Sequence, residues 1–177
     1  MKITVATEKP FAPAAVQLIK ETAEDAGYEF SLLENYTDKQ DLINAAKNTD
    51  AMIIRSDKAT REVIEATDRL KVIVRAGAGY DNIDLDAATE KGMVVMNTPG
   101  QNSNAVAELA VGMMVLTARG NYNGKSGTEL LGKKIGIHAY GNVGKRVAAI
   151  AKGLVWKYLL LMHLYQKKIL KKTVLKL

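Results

Sequence analysis

Short apolar, β-branched runs alternate with amphipathic segments along the first hundred positions. Such runs are typical of buried strands, whereas apolar residues three and four positions apart predict helices. Val16, Ile19 and Ala23 have the helical spacing, and Gly27 comes after them as a stop. The pattern predicts strands at residues 2–6, 28–33, 51–54, 71–74 and 93–96, and helices at residues 13–26, 38–47, 61–66 and 84–90. This alternation favours an α/β fold with a parallel sheet and helices on both faces.

A turn-forming sequence, Asn-Thr-Pro-Gly at residues 97–100, then interrupts the pattern. We therefore expect one complete domain at residues 1–98 and a partial second domain at residues 99–154. A long helix is predicted at residues 104–119. Its apolar stripe is interpreted as packing in a core or at a dimer interface, and it consists of Val106, Leu109, Met113 and Leu116.

A glycine-rich turn lies between a strand predicted at residues 134–138 and a helix predicted at residues 145–152. This order directs backbone N–H groups and a helix N-terminus at a pyrophosphate. In the pattern Gly-x-Gly-x-x-Gly, Gly141 allows close approach of a dinucleotide and Gly144 lets the helix pack on the strand. Ala139 stands at the first glycine position, where we expect its φ to stay negative. Alone, the motif also fits an ordinary tight strand–helix turn.

Composition narrows the function classes. The net charge of +6 comes from the segment 155–177, which has six lysines and no carboxylate, so the remainder is balanced and favours no nucleic-acid partner. The absence of cysteine excludes disulfides and thiolate metal sites, and no metal site is predicted. Without an 18-residue uncharged apolar run or a signal peptide, we expect a cytoplasmic protein with no membrane partner.

Four segments together resemble the D-2-hydroxyacid dehydrogenases, most of all bacterial members with a phosphorylated substrate. They are residues 53–56 (Ile-Ile-Arg-Ser), 74–84 (Val-Arg-Ala-Gly-Ala-Gly-Tyr-Asp-Asn-Ile-Asp), 97–108 (from Asn-Thr-Pro-Gly to Ala-Glu) and 129–134 (Glu-Leu-Leu-Gly-Lys-Lys). The resemblance implies a flavodoxin-like parallel-sheet substrate domain followed by the truncated start of a Rossmann NAD-binding domain. It also implies an NAD-dependent oxidoreductase acting on a small 2-hydroxy acid.

The resemblance assigns roles to individual residues. Arg55 and Ser56 are expected to anchor the substrate, although Arg55 could be a plain surface charge at a strand end. The remaining substrate-binding residues are expected to be Gly77, Ala78, Gly79 and Asn102. The cofactor-binding residues are expected to be Ala78, Val106, Ala139, Gly141, Asn142, Val143 and Gly144.

Other polar residues are interpreted structurally. Asp81 and Asp84 are predicted to be turn and helix-cap residues rather than ligands. His138 is predicted to be a hydrogen-bonded core histidine within its strand, and His163 receives no role.

The chain departs from the family in its last part. The family's catalytic arginine, glutamate and histidine belong to later segments, so no catalytic residue is assigned and this chain is predicted to be inactive. The acid that binds the ribose hydroxyls, about 20 positions after the glycine loop, is also missing. Residues 155–177 do not resemble the family, and a single-base frameshift near Leu154 would restore a family-like sequence with an aspartate 18 positions after Gly144. The nucleotide sequence would test this hypothesis.

Two alternatives and one assembly prediction remain. The chain could be a non-catalytic α/β fragment that binds a small anion or a partner. The tail could be a basic helix for an anionic membrane or nucleic acid, with a face formed by Lys167, Lys168, Lys171 and Lys172. Because residues 99–154 leave strand edges and an apolar helix face uncovered, we predict a homo-oligomer built on them.

Overall fold

The computed structural model describes residues 1–154, 157–162 and 173–175. The chain divides into two compact units, Met1–Pro99 and Gly100–Leu177, here called unit 1 and unit 2. Each unit is built around its own sheet and its own apolar cluster.

Unit 1 is a five-stranded parallel sheet with the strand order β2-β1-β3-β4-β5. This is the order of flavodoxin-like folds, and it confirms the predicted α/β class. Every helix and strand end lies within one residue of its prediction. The elements are β1 (Lys2–Thr7), α1 (Pro13–Asp25), β2 (Glu29–Glu34), α2 (Lys39–Lys47), β3 (Ala51–Ile54), α3 (Arg61–Glu65), β4 (Val72–Arg75), α4 (Leu85–Glu90) and β5 (Val94–Met96).

Helix starts in unit 1 depend on local capping. The Asp38 carboxylate accepts a hydrogen bond from the Gln40 N–H at 2.8 Å and so begins α2. The Asp84 carboxylate accepts from the Ala87 N–H at 2.9 Å and begins α4, which confirms its interpretation as a cap. These bonds satisfy N–H groups that have no partner inside the helix.

The core of unit 1 lies between the sheet and helices α2, α3 and α4. Met52, Ile54 and Ile73 from the central strands are almost completely buried against Val63 and Ile64 of α3. The central strands therefore have a rigid support, and the loops after their carboxyl ends are held at the edge of a packed sheet.

Unit 2 contains two helices that pack against each other. Its elements are α5 (Ser103–Ala118), a 3₁₀ turn (Gly120–Tyr122), β6 (Lys134–His138), α6 (Asn142–Gly153), β7 (Lys157–Met162) and β8 (Thr173–Leu175). Ala107 and Val111 of α5 pack against Val147, Ala148 and Ala151 of α6. The sheet order is β6-β7-β8, with β7 parallel to β6 and antiparallel to β8.

Unit 2 decides between two interpretations and corrects one prediction. The stripe of α5 does not pack in the core, because Val106, Leu109, Met113 and Leu116 are 40%, 65%, 57% and 36% exposed, and its interpretation as a dimer interface stays a prediction. The segment after Leu154 was expected to be unsuited to a second Rossmann strand, yet residues 157–162 pair in parallel with β6. The proposed basic helix face and His163 lie outside the described residues.

Among the described residues, no helix is long and apolar enough to cross a lipid bilayer.

Candidate functional site

The carboxyl edge of the unit 1 sheet brings together five of the six residues expected to bind the substrate. Arg55 and Ser56 come directly after β3 and are exposed. Gly77, Ala78 and Gly79 come after β4, the strand next to β3. Ligands of open parallel sheets bind outside the carboxyl ends of the strands, so the placement suits the predicted role. Their roles as substrate ligands remain predictions.

Arg75 is a second arginine at this edge that the sequence analysis did not select. It is the last residue of β4, where its register partner is Ile54, and its Nε donates to the Arg55 carbonyl at 3.0 Å. A Cβ at Gly77 would lie 3.0 Å from the Arg75 Cζ, and one at Gly79 would lie 3.0 Å from its Nη1. The glycines thus make room for the guanidinium. The signal in the sequence is that Arg55 directly follows β3 and that Arg75 ends the next strand, β4.

The loop at Gly77–Gly79 is tied to the end of β5. The Thr98 N–H donates to the Gly77 carbonyl at 2.9 Å, and the Asn97 amide Nδ2 donates to the Ala78 carbonyl at 2.7 Å. Asn97 and Thr98 therefore hold the loop backbone in place. Asp81, expected in a turn, lies two residues beyond the loop, and its Oδ1 would be 2.9 Å from a Cβ at Gly79.

Asp57 is a buried carboxylate behind the exposed Arg55 and Ser56. It is 3% exposed and accepts hydrogen bonds from the Tyr36 hydroxyl at 2.6 Å, the Glu8 N–H at 2.7 Å and the Arg55 N–H at 3.2 Å. Burial, followed by the hydrogen bond to Asp57, raises the pKa of the Tyr36 hydroxyl, so this group stays a donor. Sequence analysis missed Asp57, because an aspartate just after a strand is ordinarily an exposed turn residue.

The remaining predicted ligands lie in unit 2. Asn102 is the N-cap residue of α5, and Val106 lies in the first turns of the same helix. Both side chains are exposed, and their assignment to substrate and cofactor remains a prediction.

The glycine-rich turn has the predicted form but not the predicted backbone at its first position. Ala139 has a φ of +77°, so the expectation of a negative φ was wrong. A Cβ at Gly144 would lie 2.3 Å from the Ala139 carbonyl oxygen, which forbids any side chain there. The turn stays tight because close packing of α6 on β6 leaves no room for a wider path. Ala139 therefore adopts a positive φ, which is unfavourable for a residue with a Cβ.

The N-terminus of α6 fits a pyrophosphate group. Gly141 is the N-cap residue, and a Cβ at this position would meet no atom within 4 Å, so a ligand can approach its backbone. Asn142 and Val143 are the first helical residues, whose N–H groups have no acceptor within the helix. Free N–H groups at a helix N-terminus favour an anion. The last residue of β7, 18 positions after Gly144, is Met162, so this position offers no carboxylate to ribose hydroxyls.

His138 is exposed at the end of β6, and its prediction as a core histidine was wrong. The inward position of this strand end is taken by Ile137, which is 8% exposed. Among the described residues, no cluster of three or more His, Asp or Glu could hold a metal ion.

Comparison with known proteins places this geometry in context. Residues 4–173 match the family described as D-isomer specific 2-hydroxyacid dehydrogenase, catalytic domain. The chain is 43% identical over 128 residues to D-3-phosphoglycerate dehydrogenase from Methanocaldococcus jannaschii, covering 64% of the chain and 24% of that protein. It is 40% identical over 142 residues to hydroxypyruvate reductase from Thermotoga maritima, covering 71% of the chain and 46% of that protein.

The fold of the chain is also similar to that of a solved structure. The NAD⁺-bound 3-phosphoglycerate dehydrogenase from Entamoeba histolytica superposes with a TM-score of 0.85 at 48% identity, covering 97% of this chain and 56% of that chain. The chain thus spans between a quarter and just over half of the length of these proteins.

Proposed function

Because the chain belongs to the D-isomer specific 2-hydroxyacid dehydrogenase family, we propose that it carries the substrate-anion side and the pyrophosphate loop of an NAD-dependent enzyme. The proposed substrate is 3-phosphoglycerate, whose oxidation leads toward serine. The observation that carries the proposal is the pairing of two arginines and a glycine loop at the carboxyl edge of unit 1.

On the substrate side, Arg55 and Arg75 lie at the ends of neighbouring strands of the sheet. A guanidinium presents its N–H donors in a planar fork that matches a carboxylate or phosphate, so the two arginines suit a substrate that carries both groups. The Gly77–Gly79 loop, tied down by Asn97 and Thr98, lets a ligand approach its backbone closely. Ser56 adds an exposed hydroxyl beside Arg55.

On the cofactor side, the N–H groups of Asn142 and Val143 would hold the pyrophosphate of NAD. Bound NAD would supply the hydride acceptor for oxidation of a hydroxy acid at C2. Gly144 fixes the turn that directs these N–H groups, since any Cβ would clash with the Ala139 carbonyl. Because no acidic residue follows the glycine loop to accept hydrogen bonds from ribose hydroxyls, we expect only weak NAD binding, at best in the millimolar range.

We propose further that this chain does not turn over its substrate. Its two histidines are His138, which is exposed at a strand end, and His163. His138, the histidine among the described residues, is exposed and has no carboxylate partner there, so it lacks the positioned acid–base pair that proton transfer during hydroxyl oxidation requires. A non-catalytic anion-binding role is the alternative, and ligand titration distinguishes it from the proposal.

Ligand titration by two-dimensional NMR tests the proposal on the full chain. 3-Phosphoglycerate should shift the amide signals of residues 55–56 and 77–79, and Arg55→Ala should weaken this binding, with Arg75 retaining part of it. NAD should shift the signals of residues 141–144, and Gly144→Ala should remove that response while leaving the unit 1 response intact. Arg119→Ala is the matched control, because it removes an exposed arginine outside the proposed site. A response to 3-phosphoglycerate alone, with none to NAD, would favour the non-catalytic role. Binding of 3-phosphoglycerate that is unchanged in Arg55→Ala would contradict the assignment of Arg55 to the substrate site.

A further inference from the structure

One carboxylate occupies the place where this type of sheet ordinarily binds a ligand. The strand order reverses between β1 and β3, and open parallel sheets bind ligands outside such a reversal point. The Asp57 Oδ1 accepts from the Glu8 N–H, just after β1, and the Asp57 Oδ2 accepts from the Arg55 N–H, just after β3. The Tyr36 hydroxyl, from the loop after β2, also donates to Oδ1. Asp57 thereby ties together the ends of three strands.

The outer side of the bend at residues 55–57 is held by a second set of hydrogen bonds. The Asn82 Nδ2 donates to the Asp57 carbonyl at 2.7 Å and to the Arg55 carbonyl at 3.3 Å. The Arg75 Nε donates to the same Arg55 carbonyl. Within the bend, the Arg55 N–H therefore donates to the Asp57 carboxylate, whereas the bend's carbonyl groups accept from Asn82 and Arg75. The Arg55 and Ser56 side chains stay exposed.

The chemistry of this position requires a carboxylate. A buried charge is costly unless several donors compensate for it, and here three donors converge on two oxygens. An amide of the same shape would turn its NH₂ group toward at least one of these donors. The raised pKa of Tyr36 keeps its hydroxyl protonated, so this donor is retained.

We propose that Asp57 is a positioning residue for anion binding: its carboxylate fixes the bend from which Arg55 reaches the substrate anion. The inference rests on the proposed function for the role of Arg55. It also makes a claim about the ligand-free chain, because the bend should loosen when the carboxylate is removed, whether or not an anion binds.

The first measurement addresses the ligand-free chain by amide hydrogen exchange. Asp57→Asn should accelerate exchange of the Arg55 and Glu8 N–H groups about tenfold or more, because both lose a charged acceptor. Asp25→Asn is the matched control, since it changes an exposed carboxylate at the end of α1 and should leave both rates unchanged. Unchanged rates at Arg55 and Glu8 in Asp57→Asn would overturn the positioning role.

The second measurement is a double-mutant cycle with inorganic phosphate as the probe. Asp57→Asn should weaken phosphate binding roughly three- to tenfold in the wild-type background. In the Arg55→Ala background it should have no further effect, because Asp57 acts through Arg55. An equal loss in both backgrounds indicates a general structural role and would contradict the inference.

Two outcomes separate the inference from the function on which it rests. If phosphate shifts no signal in the wild type, the proposed substrate site is wrong, whereas the exchange rates still decide whether Asp57 fixes the bend. If Asp57→Asn does not fold, Tyr36→Phe takes its place, since it removes only one donor to the carboxylate. Faster Arg55 exchange in Tyr36→Phe supports the inference, and an unchanged rate overturns it.

Discussion

Ala139 carries the most unfavourable backbone conformation of the proposed cofactor loop, with a φ of +77°. The left-handed region costs a residue with a Cβ roughly 1–2 kcal/mol, and glycine escapes this cost. Part of the gain is lost because glycine has more freedom in the unfolded chain. We expect Ala139→Gly to stabilise unit 2 by about 1 kcal/mol, measured by urea unfolding followed through the amide signals of unit 2.

Ala149→Gly provides the opposite control. Ala149 lies exposed within α6, where glycine should destabilise the helix by about 1 kcal/mol. Destabilisation by both variants would show that Ala139 is not strained.

Asp50 gives a pH-dependent prediction at the opposite, amino-terminal edge of the unit 1 sheet. Its carboxylate accepts from Arg69 through Nε at 3.0 Å and Nη2 at 3.1 Å, and from the Lys2 N–H at 2.6 Å. Arg69 first, and then the Lys2 N–H, lower the pKa of Asp50 from 3.8 to about 2. The stability from this group is therefore fully present above pH 3.8 and is lost as the pH falls toward 2.

Arg69→Ala should raise the pKa of Asp50 toward 3.8, as monitored by the chemical shift of its carboxyl carbon. Asp68 serves as an internal control, because Lys91 rather than Arg69 lowers the pKa of its carboxyl. A carboxyl of Asp50 that still titrates near 2 in the variant would show that the Lys2 N–H alone sets its pKa.

At the scale of elements, the exposed stripe of α5 defines a prediction about assembly. Leu109 and Met113 are 65% and 57% exposed on a helix whose opposite side packs against α6. Burial of such side chains favours association by about 25 cal/mol for each Å² of apolar surface removed from water. We expect a homo-oligomer at tens of micromolar concentration, and we expect the pair Leu109→Glu and Met113→Glu to shift it to monomers, as measured by light scattering.

The control for assembly is Leu18→Glu in α1, since Leu18 is also 65% exposed but lies in unit 1. It should leave the oligomeric state unchanged. A wild-type chain that is monomeric under these conditions would contradict the prediction.

The elements that sequence predicted well are those with one clear periodicity. Unit 1 obeys this rule, because its strands are short runs bounded by turn residues and three of its four helices, α1, α2 and α4, have a capping aspartate or a glycine stop. Helix α5 breaks the rule because it is apolar on nearly every side, so its pattern of large apolar residues does not show which face is buried in the unit 2 core. The small residues Ser103, Ala107 and Val111 are buried instead, four positions apart, since they permit close approach of α6.

The positions of the candidate-site residues were predictable where a local motif determines them and not where long-range contacts determine them. The glycine turn and the exposed Arg55 obey local rules and lie where the sequence predicts them, while their binding roles stay predictions. Asp57 binds Glu8 and Tyr36, which are 49 and 21 positions away in the chain, so only the fold reveals this network. Ala139 has a different reason: the tight turn, in which a Cβ at Gly144 would lie 2.3 Å from the Ala139 carbonyl oxygen, overrides the preference of alanine for a negative φ.

At the scale of the whole molecule, charge is divided between the units more unevenly than the balanced sum over residues 1–154 suggests. Residues 1–99 have twelve basic and seventeen acidic residues, whereas residues 100–154 have seven basic and two acidic ones. All ion pairs formed among the described residues lie in unit 1. Unit 2 therefore presents a positive potential, which favours the anionic pyrophosphate proposed for its glycine loop.

Catalytic activity requires a substrate site, a cofactor site and a positioned acid or base together. A positioned acid or base alone contributes about 10²–10⁴ in rate, and the described residues hold no histidine–carboxylate pair to supply it. No acidic residue follows Glu129 in the sequence, so the ribose-binding acid expected about 20 positions after the glycine loop is missing and the cofactor would also be held weakly. We therefore expect no measurable NADH formation from NAD and 3-phosphoglycerate, monitored by absorbance at high enzyme concentration, and no NADH oxidation with hydroxypyruvate phosphate.

The phosphate-dependent NMR shifts at residues 55–56 should persist in the same sample, which shows that lost turnover does not reflect an unfolded unit 1. Turnover that survives purification and disappears in Arg55→Ala would contradict this expectation, because it would show that the chain assembles an active site from its own residues.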